Sequence, residues 1–188
     1  EEARRGDEKA RLILMLADVY HEAEQWQQSL DLCSRVIDGA ATKASGEQKS
    51  YAHFKRGWTS YRLVGKGFSP DAVFADYSAA VRTAPKAPWA DKAMFKAANI
   101  QWNHKRDSDA AAALWERLCR SYPESQEAIR SAYYIGVAHE WSNRTEEAVR
   151  AFQYVLDRWP DSAFTNVTRD HLERLNAVSE PEHQTQTK

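Results

Sequence analysis

Leu118-Cys119-Arg120-Ser121-Tyr122-Pro123-Glu124-Ser125 recurs further along the chain as Leu156-Asp157-Arg158-Trp159-Pro160-Asp161-Ser162. Each copy closes a run with apolar residues at helical spacing, Ala111, Leu114, Trp115 and Leu118 in the first and Ala148, Phe152 and Val155 in the second. A third prolyl stop, Pro85, follows Val73, Tyr77 and Ala80. Pro85, Pro123 and Pro160 stand 38 and 37 residues apart, a period that belongs to arrays of helical hairpins. Such a repeat builds an extended surface rather than a catalytic pocket.

Working outward from these stops divides the chain into four hairpins, at about 8–39, 47–84, 89–122 and 125–159. A cap helix follows over 162–177. Residues 1–7, charged and containing Gly6, are expected to be loose. The polar tail 179–188, with Pro181, is expected to be disordered. Gly39 stops the second helix, and 40–46 reads as a loop. Gly65-Lys66-Gly67 lengthens the connection inside the second hairpin. Ser69-Pro70-Asp71 is a helix start, with a hydroxyl cap, proline at the first helical position and an acid in the first turn. Asp107 or Ser108 caps the next second helix, and Thr145-Glu146-Glu147 opens the one after it. Arg169, Asp170, Glu173 and Arg174 give the last helix a polar outer face, as closes an array.

These residues resemble the tetratricopeptide repeat family. The fourth hairpin carries the resemblance best, through Ala132-Tyr133-Tyr134-Ile135-Gly136, then Thr145, Ala148, Phe152, Val155 and Pro160. Gly136 and Ala148 fall where two crossing backbones leave no room for a side chain. Phe152 is then expected to wedge between that hairpin and the next. Ala17, Tyr20, Ser29, Cys33 and Val36 fill the pattern in the first hairpin. Gly57, Val73, Tyr77, Ala80 and Pro85 fill it in the second, and Ala97, Ala111, Trp115, Leu118 and Pro123 in the third. The resemblance implies an all-α right-handed superhelix, one solenoid domain over 8–178, that acts as a non-enzymatic adaptor or scaffold. The Tyr-Pro-x-Ser and Trp-Pro-x-Ser junctions are also similar to those of bacterial envelope proteins of this class, the Tol–Pal-associated proteins and outer-membrane assembly lipoproteins. That similarity implies a periplasmic or envelope setting, with the cytoplasm as the alternative.

Composition narrows the function further. The 188 residues carry 26 basic and 27 acidic side chains, a formal net charge of −1, which gives no reason to expect nucleic acid or an anionic membrane as partner. No apolar run approaches the ~20 residues of a membrane span. The opening Glu1-Glu2-Ala3-Arg4-Arg5, without Met or a leader, reads as a processed or trimmed start. The six histidines and two cysteines form no His-Glu-x-x-His or Cys-x-x-Cys pattern, so neither metal nor cofactor is expected. Cys33 and Cys119 sit on apolar stripes and read as buried reduced thiols. Phosphate-loop and Gly-x-Ser-x-Gly signatures are lacking. Arg5-Gly6-Asp7 reads as a chance match, and the sequons at Asn143 and Asn166, the second inside an expected helix, are uninformative in a bacterial setting.

Seven tryptophans are the compositional oddity. In arrays like those it resembles, the first helix of each hairpin lines the concave face. That places Arg11, Leu14, Asp18, His21 and Glu22 there, then Tyr51, Phe54, Trp58, Tyr61 and Arg62. Met94, Ala98, Gln101 and Trp102 follow, then Arg130, Tyr133, Val137, Glu140 and Trp141. Trp26, Tyr77, Trp115, Phe152 and Trp159 instead fall at hairpin-core positions. Trp58, Trp102 and Trp141 either fill gaps between hairpins or anchor a partner, with Trp58 and Trp141 the better recognition candidates. An aromatic groove flanked by Arg62, Arg130 and Glu140 suits an extended peptide or a partner helix. The alternative is a structural segment that self-associates as a homo-oligomer within a larger envelope protein.

Overall fold

The computed structural model describes residues 2–39 and 43–179. Among them are nine α-helices: α1 (Glu2–Glu22), α2 (Trp26–Ile37), α3 (Gly46–Tyr61), α4 (Pro70–Thr83), α5 (Ala90–Ile100), α6 (Ser108–Ser121), α7 (Gln126–Trp141), α8 (Thr145–Arg158) and α9 (Thr165–Ser179). A π-helical turn, Gln101–Lys105, continues α5. The fold is all-α, as the period requires.

Helix ends follow local chemistry. Ser45 and Gln48 close a reciprocal capping box on α3, with Gln48 N–H donating to Ser45 Oγ at 3.2 Å and Ser45 N–H to Gln48 Oε1 at 2.9 Å. Ser69 caps α4 ahead of Pro70, Asp107 caps α6, and Ser125 caps α7. Gly39, beyond the end of α2, has φ 68° and takes the left-handed conformation that closes a helix. Glu24 and Asn143 are left-handed as well, each at φ 57°. Their turns share a pattern: Gln25 N–H reaches Tyr20 O at 2.9 Å, and Arg144 N–H reaches His139 O at 2.9 Å. The α1–α2 and α7–α8 hairpins therefore turn in the same way.

Contacts divide the chain into two compact units, Glu1–Arg106 and Asp107–Lys188. The boundary falls at the turn between the helices of the expected third hairpin. In the first unit α1 packs on α2, α2 on α3, α3 on α4 and α4 on α5, and α1 also reaches α3. Ala10, Leu14 and Ala17 of α1 meet Leu32, Cys33 and Val36 of α2 and Ala52 of α3 in its core. Gly57 faces the Tyr77 ring, to which an added Cβ would stand at 3.2 Å. In the second unit α6 packs on α7, α7 on α8 and α8 on α9. Gly136 lies so close to fully buried Phe152 that a Cβ would fall 2.5 Å from the ring. Trp115 is fully buried and stacks on Tyr134 at 5.4 Å.

Three boundaries differ from expectation. α1 begins at Glu2, so residues 2–7, expected to be loose, extend the helix. The first helix of the hairpin expected over 89–122 gives way to the π turn after Ile100. The cap helix spans Thr165–Ser179 rather than 162–177. Of the expected tail, 180–188 lies outside the described residues, as do positions 40–42 of the expected loop.

Candidate partner-binding face

The first unit joins its two leading helices through a carboxylate. Asp18 of α1 accepts from the Tyr51 hydroxyl of α3 at 2.9 and 3.0 Å and pairs with Lys55 Nζ at 2.8 Å. Lys55 is buried, and its ammonium stands 5.3 Å from the Trp58 ring centre and 5.9 Å from that of Tyr51. Burial, then the Asp18 charge and hydrogen bond, push the Tyr51 phenol well above its usual range. One turn on, His21 Nδ1 lies 2.8 Å from Thr59 Oγ1. Burial, reinforced by the Lys55 charge, lowers the His21 pKa, so the ring is neutral at pH 7.

Beside this strap lies a cavity of about 560 Å³. Arg11, Met15 and Asp18 of α1, Gln48 and Tyr51 of α3, and Trp89 line it. Trp89 is fixed by its indole N–H, which donates to Ser50 Oγ at 2.9 Å, and by edge contact with Tyr51 at 4.9 Å. Further along α3, Trp58 is 38% exposed and rests edge-on against His21 and Phe54, at 5.7 and 5.6 Å. Tyr61 is 41% exposed and meets the His104 ring at 5.7 Å. The α3 face thus runs from an open recess to two half-open aromatic rings, with exposed Arg62 at its end.

The second unit repeats the strap with other residues. Glu140 of α7 receives His171 Nδ1 and Arg174 Nη2 of α9, both at 2.6 Å. Burial alone would raise the Glu140 pKa; the hydrogen bonds from Arg174 and His171 outweigh it and hold the carboxyl below its usual range. Tyr133 Oη lies 3.1 Å from His171 Nε2, and its ring packs against Phe164 at 5.1 Å. Phe152 stacks on His171 at 4.7 Å, which is the wedge expected of it.

The expected groove residues therefore separate. Tyr51, Trp58, Tyr61 and Arg62 lie along one face of α3, but Phe54 is core. Gln101 is buried and Trp102 half-buried, both in the π turn. On α7, Tyr133 and Val137 are packed into the core that α9 completes, and Glu140 is engaged by α9. They are an internal junction, because the last helix needs an apolar seat and takes this one. Arg130 is exposed, 3.5 Å from Glu127, and Trp141 is 74% exposed at the end of α7. Leu14 and His21, also placed in the groove from sequence, are buried. Lys55, Trp89 and His171 were missed. Trp89 follows Pro88 at the start of α5 as Phe164 precedes α9, and each packs on the tyrosine of an earlier first helix. That shared placement is the signal that could have found it.

Both cysteines are free thiols, and burial raises their pKa values to about 12 for Cys33 and about 11 for Cys119. Among the described residues no group of His, Cys, Asp and Glu is arranged to hold a metal ion, and no helix is long and apolar enough to cross a membrane.

Helices paired by short turns, small residues at their crossings and junctions carried by first helices define a helical-hairpin repeat protein. Residues 92–125 and 130–162 match the family model described as tetratricopeptide repeat. The fold is similar to a crystal structure of MamA, at 17% identity and TM-score 0.62, covering 79% of this chain and 77% of that one. MamA 41-end from Desulfovibrio magneticus RS-1 aligns at 15% identity and TM-score 0.61, over 90% of each chain. BtubC (BKLC) from P. vanneervenii aligns at 12% identity and TM-score 0.60, over 99% of this chain and 92% of that one. At such identities the likeness is one of fold. No curated protein matches the sequence.

Proposed function

We propose that the chain is a non-enzymatic scaffold that binds an extended peptide or partner helix along the α3 face of its first unit. The observation that carries this reading is the open cavity beside Tyr51 and Trp89, continued by the half-exposed rings of Trp58 and Tyr61. Rigid aromatic rings held by packing, beside a recess with a few fixed polar groups, suit a peptide backbone and its side chains. The repeat matches in 92–125 and 130–162 support an interaction role. The Tyr-Pro-x-Ser and Trp-Pro-x-Ser junctions support an envelope setting, which fractionation of the source cells tests.

Selection of displayed random peptides against the purified chain tests the binding face. The expected result is a family of peptides whose affinity falls at least tenfold on Trp58→Ala or Tyr61→Ala, as truncation of an aromatic anchor worth about 2 kcal/mol requires. Glu47→Lys at the cavity rim controls for the fold, since Glu47 is exposed, and should change which peptides are selected. Peptides indifferent to all three substitutions would overturn the reading.

A further inference from the structure

Helix α1 is apolar on two opposite sides. Ala10, Leu14 and Ala17 face inward and are buried. Leu12, Met15, Leu16 and Val19 form a second stripe at i, i+3, i+4 and i+7, and are 55%, 56%, 44% and 61% exposed. A helix that is apolar on both sides belongs between two neighbours, and this one has packing partners on one side only within its unit. A contiguous exposed stripe of this kind marks an interaction surface. We propose that its occupant is the same stripe of a second copy of this chain, packed antiparallel about a two-fold axis.

Two observations point to a second copy. The spacing 12, 15, 16, 19 reads the same in both directions, so an antiparallel partner presents a matching stripe. Met15 and Leu16 then stand at the axis, and Leu12 meets Val19 of the second copy. An isologous contact requires this self-complementarity. Charge agrees with it. At 100° per residue, Arg11 and Glu22 fall on one flank of the stripe, and antiparallel packing sets Arg11 of each copy beside Glu22 of the other. Both are exposed, and neither makes an ion pair among the described residues. Two such contacts are formed by symmetry. One helix pair is smaller than the about 1,200 Å² of a standard interface, so the dimer is a weak one that assembles at micromolar concentration.

Sedimentation velocity of the 188-residue chain across the micromolar range tests the proposal. A reversible monomer–dimer equilibrium is expected. Leu16→Lys, which brings two ammonium groups together at the axis, should leave only monomer with an unchanged circular dichroism spectrum and melting temperature. Arg11→Glu and Glu22→Arg should each weaken the dimer about tenfold, and the double reversal should restore it. Trp58→Ala should leave dimerisation intact, whereas a peptide bound in the cavity, which Arg11 and Met15 also line, should compete with the dimer. A monomer at every concentration, or a dimer indifferent to Leu16→Lys, overturns the proposal. So does failure of the double reversal to rescue.

Discussion

The junction of α1 with α3 and that of α7 with α9 are built to one plan and finished differently. Each hangs on a carboxylate of the earlier helix, Asp18 or Glu140, held by two groups of the later one. Tyr51 bonds to Asp18 directly, Tyr133 to the His171 that holds Glu140, and an aromatic ring from a later helix start packs against each tyrosine. In the second unit, Phe152, Tyr133 and Phe164 pack together with His171, and a recess of about 330 Å³ lies elsewhere, lined by α6, α7 and α8 residues such as Cys119, Ile135 and Tyr154. In the first, Trp89 donates to Ser50 and meets Tyr51 edge-on, and a cavity of about 560 Å³ lies beside them. One architecture thus yields a sealed end and an open face, and the choice lies in a few side chains.

The sharpest way to break the sealed junction is Phe152→Ala, which should cost about 3–5 kcal/mol in chemical denaturation. A loss under 1 kcal/mol would mean that Phe152 is not the wedge described. Gly136→Ala comes next, because its new Cβ would overlap the Phe152 ring; about 1–3 kcal/mol is expected. Gly57→Ala in the first unit should cost less than Gly136→Ala, since Tyr77 is 3.2 Å away and need give only slightly. Reversal of that order would contradict the closer packing assigned to the second unit.

Acid provides a smaller test. The His21 pKa is lowered by burial and then by Lys55, and the His139 pKa by burial and then by Arg144. A histidine whose folded pKa is depressed binds fewer protons folded than unfolded, so its contribution is intact above about pH 6.5 and declines as pH falls below it. His21→Gln should therefore flatten the fall in stability between about pH 6.5 and 5. An unchanged slope would show that His21 is not held neutral. The smallest effect is expected at exposed Trp141, where replacement by Ala should alter stability by under about 0.5 kcal/mol.

Much of the sealed junction could be read from the residues. Gly136 and Ala148 mark a backbone crossing, and Phe152 has the size and position to fill what lies beyond it. Ser69-Pro70 and Asp107 announce their helices because capping is local chemistry. Side-chain exposure on first helices was harder to read. Tyr133 and Tyr51 look alike in sequence, yet α9 covers the former, and where the last helix docks depends on contacts far apart in the chain. The π turn after Ile100 also lies beyond local pattern, since Gln101–Lys105 continues the helical spacing while Arg106 closes it at φ 57°.

The claim that the first unit is open where the second is sealed meets its most direct test in hydrogen exchange with a selected peptide bound. Slowed exchange is expected in residues 7–22 and 45–62, with α7 and α9 unchanged. Protection confined to residues 126–141, with none on α3, would contradict it.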